Sequence, residues 1–166
     1  MIENKGIIDK ALYQKIKSTL VDKKIKFATF GFAAAFLICA IFVGDLLLSA
    51  IWIVGAAIMA TETLVLQKKA IKLSLGRLKE RVGSESVQVT NKFLEDGIEI
   101  TYEGETTETV AVKYEHFCAV IRHKAAYILR TEFRQAVIIF RENMTEEEEQ
   151  TLFAFLKTKP TKIKWK

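Results

Sequence analysis

Phe27–Gly44 reads FATFGFAAAFLICAIFVG, and Leu46–Gln67 reads LLLSAIWIVGAAIMATETLVLQ. The first stretch holds no charged residue, and the second holds only Glu62. At about 1.5 Å per residue they measure roughly 27 and 33 Å as helices, against a hydrocarbon core of about 30 Å. Gly44-Asp45 is the whole connection, so the chain turns back at once, and the pattern predicts a helical hairpin with its turn at the far membrane face. A hairpin buried in a soluble core would need about forty residues without Lys or Arg to be covered on every side. Too little chain remains for that. A cleaved signal peptide is the second rival, but a second apolar stretch follows at once with no clean small-x-small site before it, so an uncleaved anchor is expected.

Working outward, the 166 residues are half apolar and 27% charged, with a mean hydropathy of +0.15 and a net charge of +5. One Pro, two Cys and this apolar content exclude collagenous, disordered and disulfide-stapled classes. Residues 1–26 carry seven Lys against Glu3, Asp9 and Asp22; residues 68–85 carry six basic side chains against Glu80 and Glu85. Each flank has a net charge of +4 while the connecting turn has no cation, so both flanks are expected in the cytoplasm. Asn143-Met144-Thr145 therefore reads as a helix start rather than a glycosylation site. Ile8, Leu12, Ile16 and Leu20 recur every four residues, as do Ile71, Leu75, Leu78 and Val82 at 4, 3 and 4. These predict a basic amphipathic helix over 1–24, a transmembrane hairpin over 25–67 and a basic juxtamembrane helix or linker over 68–85. Lys68, Lys69, Lys72, Arg77 and Lys79 can contact anionic lipid, at roughly 1 kcal/mol each. They can equally do no more than set topology.

Residues 86–166 follow another grammar. Val87 and Val89, then Ile98, Ile100 and Tyr102, then Val110, Val112 and Tyr114 alternate with polar residues. Apolar runs at Phe117–Ile121, Ala125–Leu129 and Ala136–Phe140 follow, separated by turn signals such as Asp96-Gly97 and Arg122-His123-Lys124. About six short antiparallel strands are expected. Thr145 with Glu146–Glu148 is a capping box, Leu152, Phe153 and Leu156 give an apolar helix face, and Pro160 lies beyond its end. The fold class is thus a membrane α-hairpin plus an α+β domain, an antiparallel PH-like meander sheet closed by one C-terminal helix.

A two-helix hairpin followed by Phe93-Leu94-Glu95-Asp96-Gly97-Ile98 resembles the YcxB-like family of bacterial membrane proteins. Val112-Lys113-Tyr114-Glu115-His116-Phe117, Gln135–Arg141 and the acidic helix start Thr145–Glu149 stand in the matching order. The resemblance covers residues 27 to about 157. Tyr114 replaces the usual Trp, and Lys113 and Phe140 stand where Pro is common. It implies a PH-like cytoplasmic domain on a membrane anchor and brings no catalytic activity.

Chemistry-bearing motifs are sparse. His116, Cys118 and His123 are close in sequence, but a closed zinc site needs four ligands, and strand and turn roles fit them better. No phosphate-binding loop or nucleophile motif occurs, and Glu146–Glu149 form a solvated first turn, so no catalytic, cofactor or metal residues are assigned. Cys39 and Cys118 lie on different sides of the interface and cannot pair. Glu62 either snorkels toward the cytoplasmic face, six residues before Lys68, or contacts a partner helix. Gly31 with Ala35 and Ala56 with Ala60 are small-xxx-small pairs, suited to closing the hairpin on itself or to homo-oligomerisation. Lys162, Lys164, Trp165 and Lys166 suit either an anionic leaflet or a solvated tail. Residues 86–166 have a net charge of −1, which offers nucleic acid no cationic field. The expected role is a membrane-anchored cytoplasmic binding module without catalysis, in a bacterial cell membrane with both termini inside. The alternatives are a sensor of anionic headgroups or an accessory, immunity-type subunit of another membrane complex.

Overall fold

The computed structural model describes residues 2–21, 23–133 and 135–163. In chain order, β1 (Ile2–Ile8), α1 (Lys10–Lys15) and α2 (Lys17–Leu20) precede two long helices, α3 (Lys23–Phe42) and α4 (Leu46–Val82). Six strands follow: β2 (Val87–Phe93), β3 (Gly97–Glu103), β4 (Thr107–Lys113), β5 (Phe117–Arg122), β6 (Ala126–Thr131) and β7 (Ala136–Phe140). A last helix, α5 (Glu146–Lys157), closes the order. The chain divides into two units, Lys17–Ser74 and a second made of Met1–Ile16 with Leu75–Lys166.

The first unit is the hairpin. α3 and α4 are each long and apolar enough to cross a membrane, and only 11% of either apolar window is buried in the protein. Phe27, Ile41, Phe42, Leu46 and Leu47 are almost bare, a degree of apolar exposure that a soluble core helix does not show. The turn is built from two residues. Gly44 takes φ +68°, a region costly for other side chains, and the Asp45 carboxylate accepts the Leu48 N–H at 3.0 Å to cap α4.

The second unit holds two antiparallel sheets, ordered β1-β2-β3-β4 and β5-β6-β7. The six strands expected over 86–140 are present, but divided between two sheets, and Tyr114 lies in a 3-10 turn rather than ending β4. Residues 2–8 correct the expectation of one N-terminal helix over 1–24. They form β1 and pair along its whole length with β2, from Ile2 opposite Phe93 to Ile8 opposite Val87. The four-residue spacing of Ile8, Leu12, Ile16 and Leu20 is helical only from Asp9 onward, where the Asp9 carboxylate accepts the Leu12 N–H and starts α1. The hairpin is therefore an insertion between two neighbouring strands of one sheet.

Buried Ile8, Val87, Val89, Phe93, Ile98, Ile100 and Val112 form the inner face of the first sheet. Leu129, Val137, Ile139, Leu152 and Leu156 are buried on the second sheet and α5. Between β1 and the free edge of β7, side-chain amides stand in for a strand. Asn4 donates to the Phe140 carbonyl at 3.0 Å and accepts the Phe140 N–H at 2.8 Å. Asn91, opposite Asn4 on β2, donates to the Ile138 carbonyl at 2.8 Å. Gly6 lets the Phe140 ring lie against the backbone, since a Cβ there would fall 2.2 Å from it.

Replacing Asn4 by Leu leaves the buried Phe140 N–H and C=O without partners, at a cost of about 1–3 kcal/mol for each lost group. Thermal melting of the full chain in detergent micelles should show a clear drop for Asn4→Leu, and a similar one for Gly6→Val.

Candidate interaction surfaces

Within the hairpin, helix–helix contact runs through small and hydroxyl side chains. Thr29 and Thr63 are buried with their hydroxyls 2.9 Å apart, and Ala33 and Ala56 are buried too. Nearer the turn, the Phe36 and Trp52 rings meet edge to face at 5.2 Å, and a Cβ on Gly55 would lie 2.8 Å from Phe36. The Ser49 hydroxyl donates to the Ala40 carbonyl at 2.8 Å. Of the residues expected to pack the hairpin, Ala56 lies in this contact. Gly31, Ala35, Ala60 and Glu62 are exposed on outer faces, and a Cβ on Gly31 would meet nothing within 4 Å. A four-residue spacing fixes one face of a helix without saying which face its partner takes. The hydroxyl pair was the overlooked signal, since Thr29 and Thr63 are polar residues inside otherwise apolar runs.

Lys68, Lys69, Lys72, Arg77 and Lys79 are all exposed on α4. None of them is ion-paired among the described residues, which leaves their charge available to an anionic surface. Lys162 is different, because its ammonium sits 2.6 Å from the Glu132 carboxylate. Lys164, Trp165 and Lys166 lie outside the described residues.

The last turn of α4 is fastened to the β3–β4 hairpin. Arg81 grips Glu108 with two hydrogen bonds, Nε to Oε2 at 2.8 Å and Nη2 to Oε1 at 2.6 Å, and its guanidinium lies over the Tyr102 ring at 5.1 Å. The Val82 carbonyl accepts the N–H groups of Glu105 and Thr106. The forked pair raises the pKa of Arg81 and lowers that of Glu108, while burial raises that of Tyr102.

On the second sheet, Tyr127 is a hub. Its ring meets Phe153 edge to face at 4.7 Å, Arg141 lies over it at 5.6 Å, and its hydroxyl donates to Glu149. Glu149 also accepts from Arg141 at 3.0 Å, and Arg122 covers Phe153 at 5.5 Å. Hydrogen bonds from Tyr127 and Arg141 lower the Glu149 pKa. The capping box at Thr145 and Glu148 is present with both reciprocal bonds.

The outer edge of β5 carries a third arrangement. α5 ends at Lys157, and the Lys159 ammonium lies 4.4 Å from the Phe155 ring centre and 5.8 Å from that of Tyr114, paired with Glu95 at 3.1 Å. The chain then bends through Pro160, Thr161 N–H bonding to the Lys159 carbonyl at 2.8 Å. Lys162 N–H donates to the Phe117 carbonyl at 2.9 Å, and Ile163 is buried. Glu132 receives Lys162 and, at 3.1 Å, the His116 ring; these bonds lower its pKa.

No metal-binding cluster of three His, Cys, Asp or Glu occurs among the described residues. His116 Nδ1 faces Glu132, His123 Nδ1 accepts the Ala125 N–H within its turn, and the Cys118 thiol faces the Arg130 carbonyl. No family model matches the chain, and neither a curated protein nor a solved structure matches it.

Two outcomes test these surfaces. With Cys39 and Cys118 replaced by Ser, Thr29→Cys/Thr63→Cys should oxidise to an intramolecular disulfide, read as a shift on non-reducing gels, whereas Gly31→Cys/Ala60→Cys should not. Glu108, Glu132 and Glu149 have depressed folded-state pKa values. Their stabilisation is therefore complete above the ordinary Glu value of about 4.3 and is lost as pH falls below it. The melting temperature should fall below that pH, and less steeply in the triple Gln variant.

Proposed function

We propose that this chain is a membrane-anchored binding module of a bacterial cell membrane, an adaptor or scaffold that presents a non-catalytic domain at the inner leaflet. The observation that carries the reading is the pairing of β1 with β2 across the inserted hairpin. The two ends of the hairpin join adjacent strands of one sheet, so they lie on one side of any membrane that α3 and α4 enter. Two crossings with the Gly44-Asp45 turn on the far side satisfy this, and the cationic flanks favour the cytoplasm for the paired side.

For the domain, four antiparallel strands, then three, then a closing helix agree with a PH-like plan, with the hairpin placed after the first strand. The motif order shared with the YcxB-like family supports the same plan. Such folds host binding more often through loops and open strand edges than through buried chemistry, although a fold alone does not fix a function. The uncompensated cations Lys68, Lys69, Lys72, Arg77 and Lys79 favour a second reading, a sensor of anionic lipid headgroups.

Topology is tested in intact cells with Val43→Cys in a background where Cys39 and Cys118 are Ser. A membrane-impermeant maleimide should label it from outside; labelling only after lysis refutes the arrangement. In-cell photocrosslinking from the sheet domain should then recover a reproducible protein neighbour, and recovery of lipid alone favours the sensor.

A further inference from the structure

We propose that the outer edge of β5 is a strand-addition site for an extended peptide that carries a basic residue followed by an aliphatic one, and that the chain's own Thr161–Ile163 occupies its first rung as a built-in competitor. The inference rests on the reading of this domain as a protein-binding module and names the chemistry of its partner.

Among the described residues the only strand beside β5 is β6. His123 N–H bonds to the Ala126 carbonyl, so by antiparallel alternation Ile121 and Ala119 direct their backbone groups to β6. Val120 and Arg122 direct theirs outward. At the start of the strand, a bulge between Phe117 and Ala119 turns the Phe117 carbonyl to that same outer edge, where Lys162 N–H meets it.

The tail reads the site in three ways at once. Its backbone donates to the strand, its cation finds the Glu132 carboxylate at 2.6 Å, and its next side chain, Ile163, is buried. Glu115 adds to the negative field at Lys162. A partner segment with the same order of cation and aliphatic side chain meets the same three features, and strand addition supplies further bonds along Val120 and Arg122. The Lys159 clasp over Phe155 and Tyr114 lies upstream of Pro160, so the competing segment can leave while α5 stays anchored.

The test uses the full chain in nanodiscs of neutral lipid and a form ending at Pro160. The probe is a fluorescein-labelled peptide of sequence TKIKWK, followed by anisotropy. The shortened form should bind it at least tenfold more tightly than the full chain. Ile163→Asp in the full chain should give the same gain and guards against misfolding of the shortened form. Glu132→Lys should remove binding in the shortened form, and a TEIKWK peptide should restore it. The inference is overturned if neither released form gains affinity, or if release raises binding to anionic vesicles and not to peptide. If crosslinking recovers a protein partner away from β5 while the peptide fails to bind, the binding-module reading stands and this inference alone falls.

Discussion

The pairing of β1 with β2 constrains everything else in this molecule. Two strands that exchange backbone hydrogen bonds along seven residues are separated in sequence by the entire hairpin. A sheet cannot be completed across a bilayer, so whatever α3 and α4 do in lipid must return the chain to where it started. Both ends of the hairpin therefore lie at neighbouring strands of one sheet, and both carry an excess of cations. Charge and strand pairing are independent features, and both treat the two ends of the hairpin alike.

The insertion leaves a seam that the fold closes with polar side chains. β1 and β7 are edges of different sheets, and Asn4 and Asn91 bond to the backbone of β7 where a further strand would otherwise lie. An amide carries a donor and an acceptor, so Asn4 satisfies both backbone groups of Phe140, whereas Asn91 uses only its donor and its buried Oδ1 has no partner among the described residues. Gly6 allows the approach by giving Phe140 room. On the return side, Arg81 and the Val82 carbonyl fasten the end of α4 to the β3–β4 hairpin. Entry and exit of the inserted segment are thus held by directional bonds as well as by apolar burial of Ile8 and Val82.

Much of this was legible in the residues because its causes are local. Long apolar runs, broken only by Glu62, mark α3 and α4; alternation marks β2 to β4, short apolar runs mark β5 to β7, and Thr145 with Glu148 marks the start of α5. β1 escaped because its inward positions are Asn4 and Gly6, which carry no apolar signal, while Ile8 joins a helical spacing with Leu12 and Ile16. Its partner strand is also remote, and pairing energy between distant segments leaves no trace in a local pattern. The outward placement of Gly31, Ala35 and Ala60 was hidden for a related reason: helical periodicity groups residues by face but does not choose between faces. The seat of Lys162 on Glu132 and Phe117 joins a tail, a turn and a strand, and sequence spacing says nothing of such a meeting.

The discontinuous sheet also has a biosynthetic meaning. β1 leaves the ribosome well ahead of its partner, since residues 9–86 take roughly 4–16 s to make at about 5–20 residues per second. During that interval the strand is an unpaired edge beside a nascent chain being delivered to lipid. Asn4 and Gly6 interrupt the inward face between Ile2 and Ile8, which keeps the waiting segment better hydrated and less suited to aggregation. The polar residues that later close the seam therefore also serve as protection during the delay, and the first sheet is completed only once β2 has been made.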